Sequence, residues 1–283
     1  MSRWLPGGQA LGTHEVHVWC RDTAACEGQI LAVAQSTLSS EERARADRFR
    51  FHDDRRDYIA AHDLLRRSLS KYAPTPPGEW AFAVEPGGRP SLRLAPERVA
   101  ADADLTFSLS HAHGFVACAI ARGVSVGVDV ERVDRTLDFA ELGRTVWSPS
   151  EVASLLASDE AARASSAIER WTLKEAYAKA TGLGLSTPLS LVAFEATDDG
   201  AIVFGGPERD DAELWQFALY APSAAPFEVL VGPAAHTLPR RQRPEVRMAV
   251  ALRKLDTTPW QILARRDDEP DHLLPVRCES RSR

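Results

Sequence analysis

Several features that would place this chain in a familiar class are absent from it. It has no hydrophobic run long enough to cross a membrane, and its opening, MSRWLPGG, has no apolar core of signal-peptide length. Its four cysteines, at positions 20, 26, 118 and 278, form no C-x-x-C pair, and no histidine lies at zinc-finger spacing from them. We therefore expect a cytoplasmic protein with reduced thiols and no membrane association.

A large excess of basic charge is also missing. The 283 residues carry 34 Lys and Arg against 40 Asp and Glu, which gives a net charge of −6. This balance argues against a protein that coats nucleic acid over its whole surface, so we expect no nucleic-acid partner. The length is enough for one large domain or two of ordinary size.

The order of predicted elements is similar in the two halves: a strand, a long helix and several antiparallel strands. The long helices are predicted over residues 54–72 and 165–181. Strands of the second half are predicted at 191–196, 201–204, 214–220, 227–231 and 246–252, and strands 115–121 and 124–130 are predicted to pair as a hairpin. We expect an α+β fold of two similar, pseudo-duplicated lobes, residues 1–122 and 123–260, followed by a loose tail over 261–283.

Acidic residues of the second half occur at spacings that bring them together. Asp129 and Glu131 are two apart in a predicted strand and so share one face, whereas Glu175 and Lys179 are four apart in a predicted helix and also share one. Taken singly, the first pair could lie at a solvent-facing sheet edge and the second could be an ordinary helix salt bridge. Together they supply hard oxygen ligands of the kind that Mg²⁺ takes alongside substrate phosphates, which points to phosphate chemistry.

A third motif, SLSHAHG at residues 108–114, ends a predicted strand in hydroxyl and imidazole groups. Ser110 and a protonated His111 could bind a phosphate monoester through charge-assisted hydrogen bonds. A lone histidine at such a place is more often structural. A catalytic triad built on Ser110 is disfavoured because no G-x-S-x-G motif surrounds it.

These motifs resemble those of a known family. SLSHAHG, GVDVERV at 127–133 and WTLKEAYAKATGLGL at 171–185, together with LSSEERARADRF, AAHDLLRRSL, GGRP and RMAVALRK, resemble the larger, pseudo-duplicated 4′-phosphopantetheinyl transferases, the Sfp-like type. The resemblance spans most of the chain. It implies two α+β lobes with coenzyme A between them, and transfer of the phosphopantetheine group of coenzyme A to a serine of an apo acyl or peptidyl carrier protein, releasing adenosine 3′,5′-bisphosphate.

The resemblance also implies roles in binding the metal and in catalysis. Asp129, Glu131 and Glu175 would bind Mg²⁺, with Mn²⁺ as an alternative, together with the coenzyme A diphosphate. Glu175, directly or through a water, would accept the serine proton. Lys179 would stabilise the charge that develops on the leaving group.

The phosphate contacts implied by the resemblance come from both lobes. Ser110 and His111 would hold the 3′-phosphate with help from Arg45 and Arg89, while Lys174 and Lys179 would face the phosphates from the helix. The sequence departs from the family pattern at His62, where many relatives have arginine, and at Arg89, where lysine is frequent. Either change could shift phosphate contacts, because these cations differ in geometry.

Two other functions fit part of the sequence. A metal-dependent nuclease or phosphodiesterase also needs clustered carboxylates and a lysine, although the overall acidity disfavours it. A noncatalytic coenzyme A or carrier-protein binding module would not require such a cluster of like charges. We expect the transferase, acting as a monomer, while the sequence does not indicate which carrier protein it modifies.

Overall fold

The computed structural model describes residues 10–85, 87–94, 103–135, 143, 145–197, 201–207, 212–222, 245–268, 270–274 and 276–280. The helices in this part are α1 (Gly28–Thr37), α2 (Ser40–Ala46), α3 (His52–Tyr72), α4 (Pro149–Ala157) and α5 (Glu160–Thr181). The strands are β1 (Glu15–Asp22), β2 (Phe82–Val84), β3 (Pro90–Leu92), β4 (Leu105–Ala112), β5 (Phe115–Arg122), β6 (Ser125–Arg132), β7 (Ala193–Ala196), β8 (Ala201–Gly205), β9 (Trp215–Tyr220), β10 (Val246–Arg253), β11 (Gln261–Arg266) and β12 (Val276–Ser280). The predicted strand 227–231 lies outside the described residues.

The strands form two main sheets. The first has the order β11-β1-β5-β4 and is antiparallel except for the β1–β11 pair. The second has the order β6-β10-β9-β12-β8-β7 and is antiparallel except for the β8–β12 pair. Strands β2 and β3 form a separate small hairpin.

The sheets pack against each other, and a long helix covers the outer face of each. Strand β5 shows this layering, because its residues are buried on both faces. Ala117, Ala119 and Ala121 belong to the core between the sheets, whereas Val116 and Ile120 pack toward α3. On the far side, α5 packs through a cluster that includes Leu173 and Ala176. A strand buried on both faces reads as a continuous hydrophobic run, as β5 does.

Local sequence signals fix the helix ends. Helices α2 and α4 each begin with a capping box, in which Ser39 pairs with Glu42 and Ser148 pairs with Glu151. Helix α5 ends at Gly182, whose φ of 74° is left-handed and suits a residue without a Cβ. The end of α5 at Thr181 agrees with the helix predicted over residues 165–181.

Two predictions about the strands are wrong. Strands β5 and β6 do not form a hairpin, because the chain turns at Gly123 (φ 70°) and β6 pairs instead with β10 in the second sheet. The tail after residue 260 is not loose over the described residues. Strand β11 pairs in parallel with β1, and β12 is inserted between β9 and β8.

The α+β class is confirmed, with one sheet and one long covering helix in each half of the core. Because β11 returns to the first sheet, the end of the chain contributes to the lobe that the first residues build. None of the described helices is both long enough and apolar enough to cross a membrane.

Candidate functional site

Two serine hydroxyls join the edges of the two sheets. Ser108 and Ser110 are two apart on β4, so they share one face of that strand. Their Oγ atoms accept hydrogen bonds from the backbone N–H groups of Val128 (3.0 Å) and Val130 (3.3 Å) on β6. Side-chain oxygens therefore satisfy backbone donors at the seam between the lobes.

Helix α5 lies unusually close to β6. A Cβ on Gly127 would be 2.0 Å from the carbonyl oxygen of Ala176 and 2.6 Å from the amide nitrogen of Ala180. Only glycine allows this approach. The close contact lets residues of the next turns of α5 reach the acidic residues that follow Gly127 on the strand.

Asp129, Ser110 and Lys179 meet at this place. The Lys179 Nζ donates to Asp129 Oδ1 at 2.7 Å and to Ser110 Oγ at 2.8 Å, and the Ser110 hydroxyl donates to the same Asp129 oxygen at 2.9 Å. Asp129 and Ser110 are buried, while the Lys179 side chain remains 31% exposed. Side chains from three separate sequence motifs, one of them in the first half of the chain, thus form one cluster.

The second oxygen of Asp129 has no partner among the described residues. Its Oδ2 is buried and makes no hydrogen bond within the part of the chain that the structure describes. An unsatisfied buried carboxylate oxygen is costly unless another group, such as a cation or a ligand, completes its contacts.

Glu131 lies further along the same face of β6 and is held by two donors. Trp171 Nε1 donates to Glu131 Oε1 at 2.7 Å, and Arg135 pairs with the same oxygen. Burial raises the pKa of Glu131, nearby Asp129 raises it further, and Arg135 and Trp171 act against the rise. Arg135 was not among the predicted site residues, because it follows β6 in a turn where strand and helix periodicity give no guidance.

Glu175 is half-buried on the facing side of α5. Burial raises its pKa, and the negative charges of Asp129 and Glu131 add to this, while Lys179 and Arg135 act in the opposite direction. The three carboxylates therefore lie near enough to oppose one another's ionisation. A glutamate with a raised pKa is a stronger base than an ordinary one.

The carboxylates of Asp129, Glu131 and Glu175 are the kind of ligand that a hard divalent cation prefers, but they are not grouped closely around one point. Within the described part of the chain, no three histidine, cysteine, aspartate or glutamate side chains are grouped so that they could hold a metal ion. The unpaired Oδ2 of Asp129 and the mutual repulsion of Asp129, Glu131 and Glu175 nevertheless fit a site that a cation would complete.

Basic residues of the first lobe approach this cluster from α2, α3 and β4. His111 follows Ser110; desolvation lowers its pKa, Asp57 opposes this, and Lys179 and Asp129 also act on it. His62 on α3 interacts electrostatically with His111 and Arg45, and burial lowers its pKa to about 4. Arg45 lies with its guanidinium carbon 5.7 Å from the Tyr58 ring centroid and, together with Arg48 and Phe49, lines a cavity of about 430 Å³.

Lys174 does not face the cleft, which corrects the expectation from the sequence. It is 0% exposed, and its Nζ lies 2.8 Å from Glu151 Oε2 and donates to the carbonyl oxygens of Leu189 (2.7 Å) and Val192. Burial lowers its pKa, and Glu151 opposes the shift. One step along a helix turns a side chain by roughly 100°, so Lys174 lies on a different face of α5 from Glu175.

Arg89 lies at the far end of the same helix. Its Nη1 donates to the carbonyl oxygen of Ala180 at 3.4 Å, which places its charge by the C-terminal carbonyls of α5. The turn that carries Arg89 packs tightly there, since a Cβ on Gly87 would lie 2.4 Å from the carbonyl oxygen of Gly182. No contact between Arg89 and Ser110 or His111 is found among the described residues.

Comparison with known proteins shows which family the chain belongs to. Residues 125–226 match the model of the 4′-phosphopantetheinyl transferase superfamily, and residues 25–122 match the model of the 4′-phosphopantetheinyl transferase N-terminal region. The 4′-phosphopantetheinyl transferase HetI of Nostoc is 35% identical over 65% of this chain and 76% of its own length. A 4′-phosphopantetheinyl transferase of Bacillus subtilis is 26% identical over 61% of this chain and 73% of its own length.

A solved structure, holo-[acyl-carrier-protein] synthase of Thermotoga maritima, matches 46% of this chain and 63% of that chain with 21% identity and a TM-score of 0.31, a likeness too distant to bear on function. The sequence matches are sufficient by themselves to assign the family. This chain belongs to the 4′-phosphopantetheinyl transferase superfamily, so the family expected from the sequence motifs is confirmed.

Proposed function

We propose that this protein transfers the 4′-phosphopantetheine group of coenzyme A to a serine of an apo acyl or peptidyl carrier protein. The products are the holo carrier protein and adenosine 3′,5′-bisphosphate. Membership of the superfamily supports the reaction. The observation that links this reaction to particular residues is the contact of Lys179 with Asp129 and Ser110. This contact joins both lobes at one polar cluster.

Glu175 is the proposed proton acceptor. The carrier serine oxygen forms a bond to the phosphorus that bears pantetheine, and the bond from that phosphorus to the bridging oxygen breaks. The electron pair leaves with adenosine 3′,5′-bisphosphate, and the serine proton passes to Glu175, directly or through a water. Its raised pKa supports this role.

Lys179 is the proposed electrostatic stabiliser of the leaving group. Its ammonium is fixed by Asp129 and Ser110, yet the side chain is partly exposed and so can meet a substrate phosphate. A charge that is already in place when negative charge develops stabilises the transition state without reorganisation at that moment.

We propose Asp129, Glu131 and Glu175 as ligands of Mg²⁺, with Mn²⁺ as an alternative. When bound, the ion would neutralise charge on the diphosphate and the bridging oxygen. The unpaired Asp129 Oδ2 is the feature of the chain that most favours this assignment. Lys174 is excluded from the phosphate contacts by its burial against Glu151.

The 3′-phosphate of coenzyme A is proposed to bind beside Ser110 and His111, with Arg45 supplying further positive charge. Arg89 would reach it only by leaving the Ala180 carbonyl oxygen, a long contact that is easily exchanged. Arginine pairs with phosphate through two parallel N–H groups, which makes such an exchange favourable.

We also propose that the protein acts as a monomer in the cytoplasm. Both lobes of the cleft come from one chain, so a second copy is not needed to complete it. The buried free thiols of Cys20, Cys26 and Cys118 suit a reducing compartment. Sedimentation of the purified protein tests the first statement.

Mass spectrometry of the carrier tests the reaction. The purified protein is incubated with coenzyme A, Mg²⁺ and a panel of apo carrier proteins, and the carriers are weighed. We expect a gain of one phosphopantetheine, abolished in Glu175→Ala and by EDTA but kept in Glu160→Gln, an exposed glutamate on the same helix. Plasmid cleavage without carrier modification would support the nuclease, and coenzyme A binding without transfer would support a binding module.

A further inference from the structure

Arg135 and Trp171 form a stack around Glu131. The Arg135 guanidinium carbon lies 5.4 Å from the Trp171 ring centroid, within the range of a cation–π contact. Both side chains bind Glu131 Oε1, Trp171 through its indole N–H at 2.7 Å and Arg135 through a charged pair. Neither contact engages Glu131 Oε2.

The two partners of Glu131 differ in charge, and therefore in what they do. The indole of Trp171 is a neutral donor that fixes the orientation of the carboxylate. Arg135 brings a positive charge, and its field also acts on Glu175. Its side chain is 44% exposed, whereas that of Glu131 is 14% exposed. Arg135 thus supplies positive charge from the solvent side to a carboxylate that lies mostly inside the protein.

We propose that Arg135 is a positioning residue that acts as an internal counter-ion for the acidic cluster. It neutralises Glu131 before a divalent cation arrives, and it competes with the cation for that carboxylate. The inference rests on the proposed function, in which Glu131 is one of the metal ligands. Without such a counter-ion, Asp129, Glu131 and Glu175 would repel one another, and Lys179 would be the cation left to offset them among the residues that the structure describes.

The counter-ion role predicts that loss of the Arg135 charge raises the affinity for a divalent cation, a direction that a purely structural role would not give. Removing the charge in Arg135→Gln should make the protein bind a divalent cation more tightly, because a competitor is lost while Trp171 still orients Glu131. A partly exposed ion pair contributes about 0.2–1 kcal/mol, so the affinity should rise by a factor of about 1.4 to 5. In Arg135→Lys the charge remains, and the affinity should stay within a factor of about two of the wild type.

The chain offers a matched control three residues earlier. Arg132, the last residue of β6, is also a partly exposed arginine, but it pairs with Asp134 rather than with the acidic cluster. Arg132→Gln changes the net charge by the same amount. Any effect of overall charge on cation binding therefore appears in both variants, and only the local effect is specific to Arg135→Gln.

Electron paramagnetic resonance of free Mn²⁺ measures the affinity directly. The metal-free wild type and the three variants are titrated with Mn²⁺ without coenzyme A, and the free ion is counted. We expect tighter binding by Arg135→Gln than by Arg132→Gln and the wild type. Equal affinities of Arg135→Gln and Arg132→Gln, or weaker binding by Arg135→Gln, would overturn the counter-ion role.

Thermal unfolding supplies a second measurement. In EDTA, Arg135→Gln should unfold at a lower temperature than Arg132→Gln, and saturating Mn²⁺ should reduce this difference, because the ion replaces the missing charge. A deficit that Mn²⁺ leaves unchanged would show an ordinary packing role. If the wild type binds no Mn²⁺ at all, the proposed metal site fails and the inference with it, while carrier modification still tests the transferase separately.

Discussion

Replacing Gly127 by alanine should push α5 away from β6 and disturb the candidate site without touching any polar group in it. The new Cβ would lie 2.0 Å from the carbonyl oxygen of Ala176, whereas ordinary contact begins at 3.4 Å. The obstacle is helix backbone, which cannot rotate aside as a side chain could. The helix must therefore retreat by more than an ångström, and Lys179 on the next turn retreats with it.

The magnitude follows from the kind of clash. Overpacking a core typically costs about 1–3 kcal/mol, and contact with backbone atoms places this variant near about 3 kcal/mol. For a chain of this size that lowers Tm by about 6–12 °C. The contacts of Lys179 with Asp129 and Ser110, at 2.7 and 2.8 Å, tolerate little displacement. Since misplacement by about 1 Å can cost a hundredfold in rate, kcat/KM should fall by about that factor.

Gly205→Ala is the matched control, because Gly205 lies in β8 of the same sheet and its added Cβ would meet the Ala193 Cβ at 3.7 Å, an ordinary van der Waals contact. Carrier modification is measured well below the Tm of both variants, and unfolding is followed by circular dichroism. We expect Gly205→Ala to resemble the wild type. Wild-type Tm and kcat/KM in Gly127→Ala would refute the reasoning that the close approach of α5 to β6 positions Lys179.

Three further substitutions test separate parts of the structure. Ser110→Ala removes the hydroxyl shared by Asp129 and Lys179 and should lower kcat/KM for coenzyme A about tenfold relative to Ser108→Ala. Among the described residues, Ser108→Ala removes a contact with the backbone N–H of Val128. Equal kcat/KM values in the two variants would contradict a role of Ser110 in the site. Lys174→Met removes the ammonium that pairs with the buried Glu151 and should destabilise the protein by about 3–5 kcal/mol in urea titrations, with an unchanged KM for coenzyme A. A raised KM without loss of stability would instead indicate that Lys174 contacts the phosphates. Because burial lowers the pKa of His62 to about 4, the folded protein binds fewer protons there than the unfolded chain, so the free energy of unfolding should decline as pH falls from about 6.5 towards 4. Tm measured across this range should decline less steeply in His62→Phe than in the control His52→Gln, which changes an exposed histidine. Parallel curves of Tm against pH would count against the link between His62 protonation and stability.

The parts of the structure that could be predicted from the sequence are those that depend on short spacings. Ser39 with Glu42 marks the start of α2, and Gly182 marks the end of α5. The two-residue spacing of Asp129 and Glu131 and the four-residue spacing of Glu175 and Lys179 placed each pair on one face. These signals operate within one element, where backbone geometry alone decides which way a side chain points.

The predictions that failed depend on partners distant in sequence. Lys174 carries the same charge as Lys179 and lies five residues from it, but its partner Glu151 is on α4, and the sequence does not show which lysine faces which element. The charged segment Gln261–Arg266 looked like a tail, yet it adds to the edge of the first sheet beside β1, where alternate side chains can remain in solvent. Backbone pairing at a sheet edge stabilises such a strand without the hydrophobic pattern by which strands are usually recognised.

The wrongly predicted hairpin accounts for the position of the site between the lobes. Had β5 and β6 paired, Asp129 would lie within the first sheet, and β6 could not present it to α5. Because the chain turns at Gly123 and enters the second sheet, β6 instead runs along the edge of β4 and exchanges serine hydrogen bonds with it. Ser110 lies in the first lobe and Asp129 lies in the second. Their contact with Lys179 therefore exists only while the lobes are packed together. Loosening the seam at Ser108 and Ser110 should therefore disturb the acidic cluster before it unfolds either sheet.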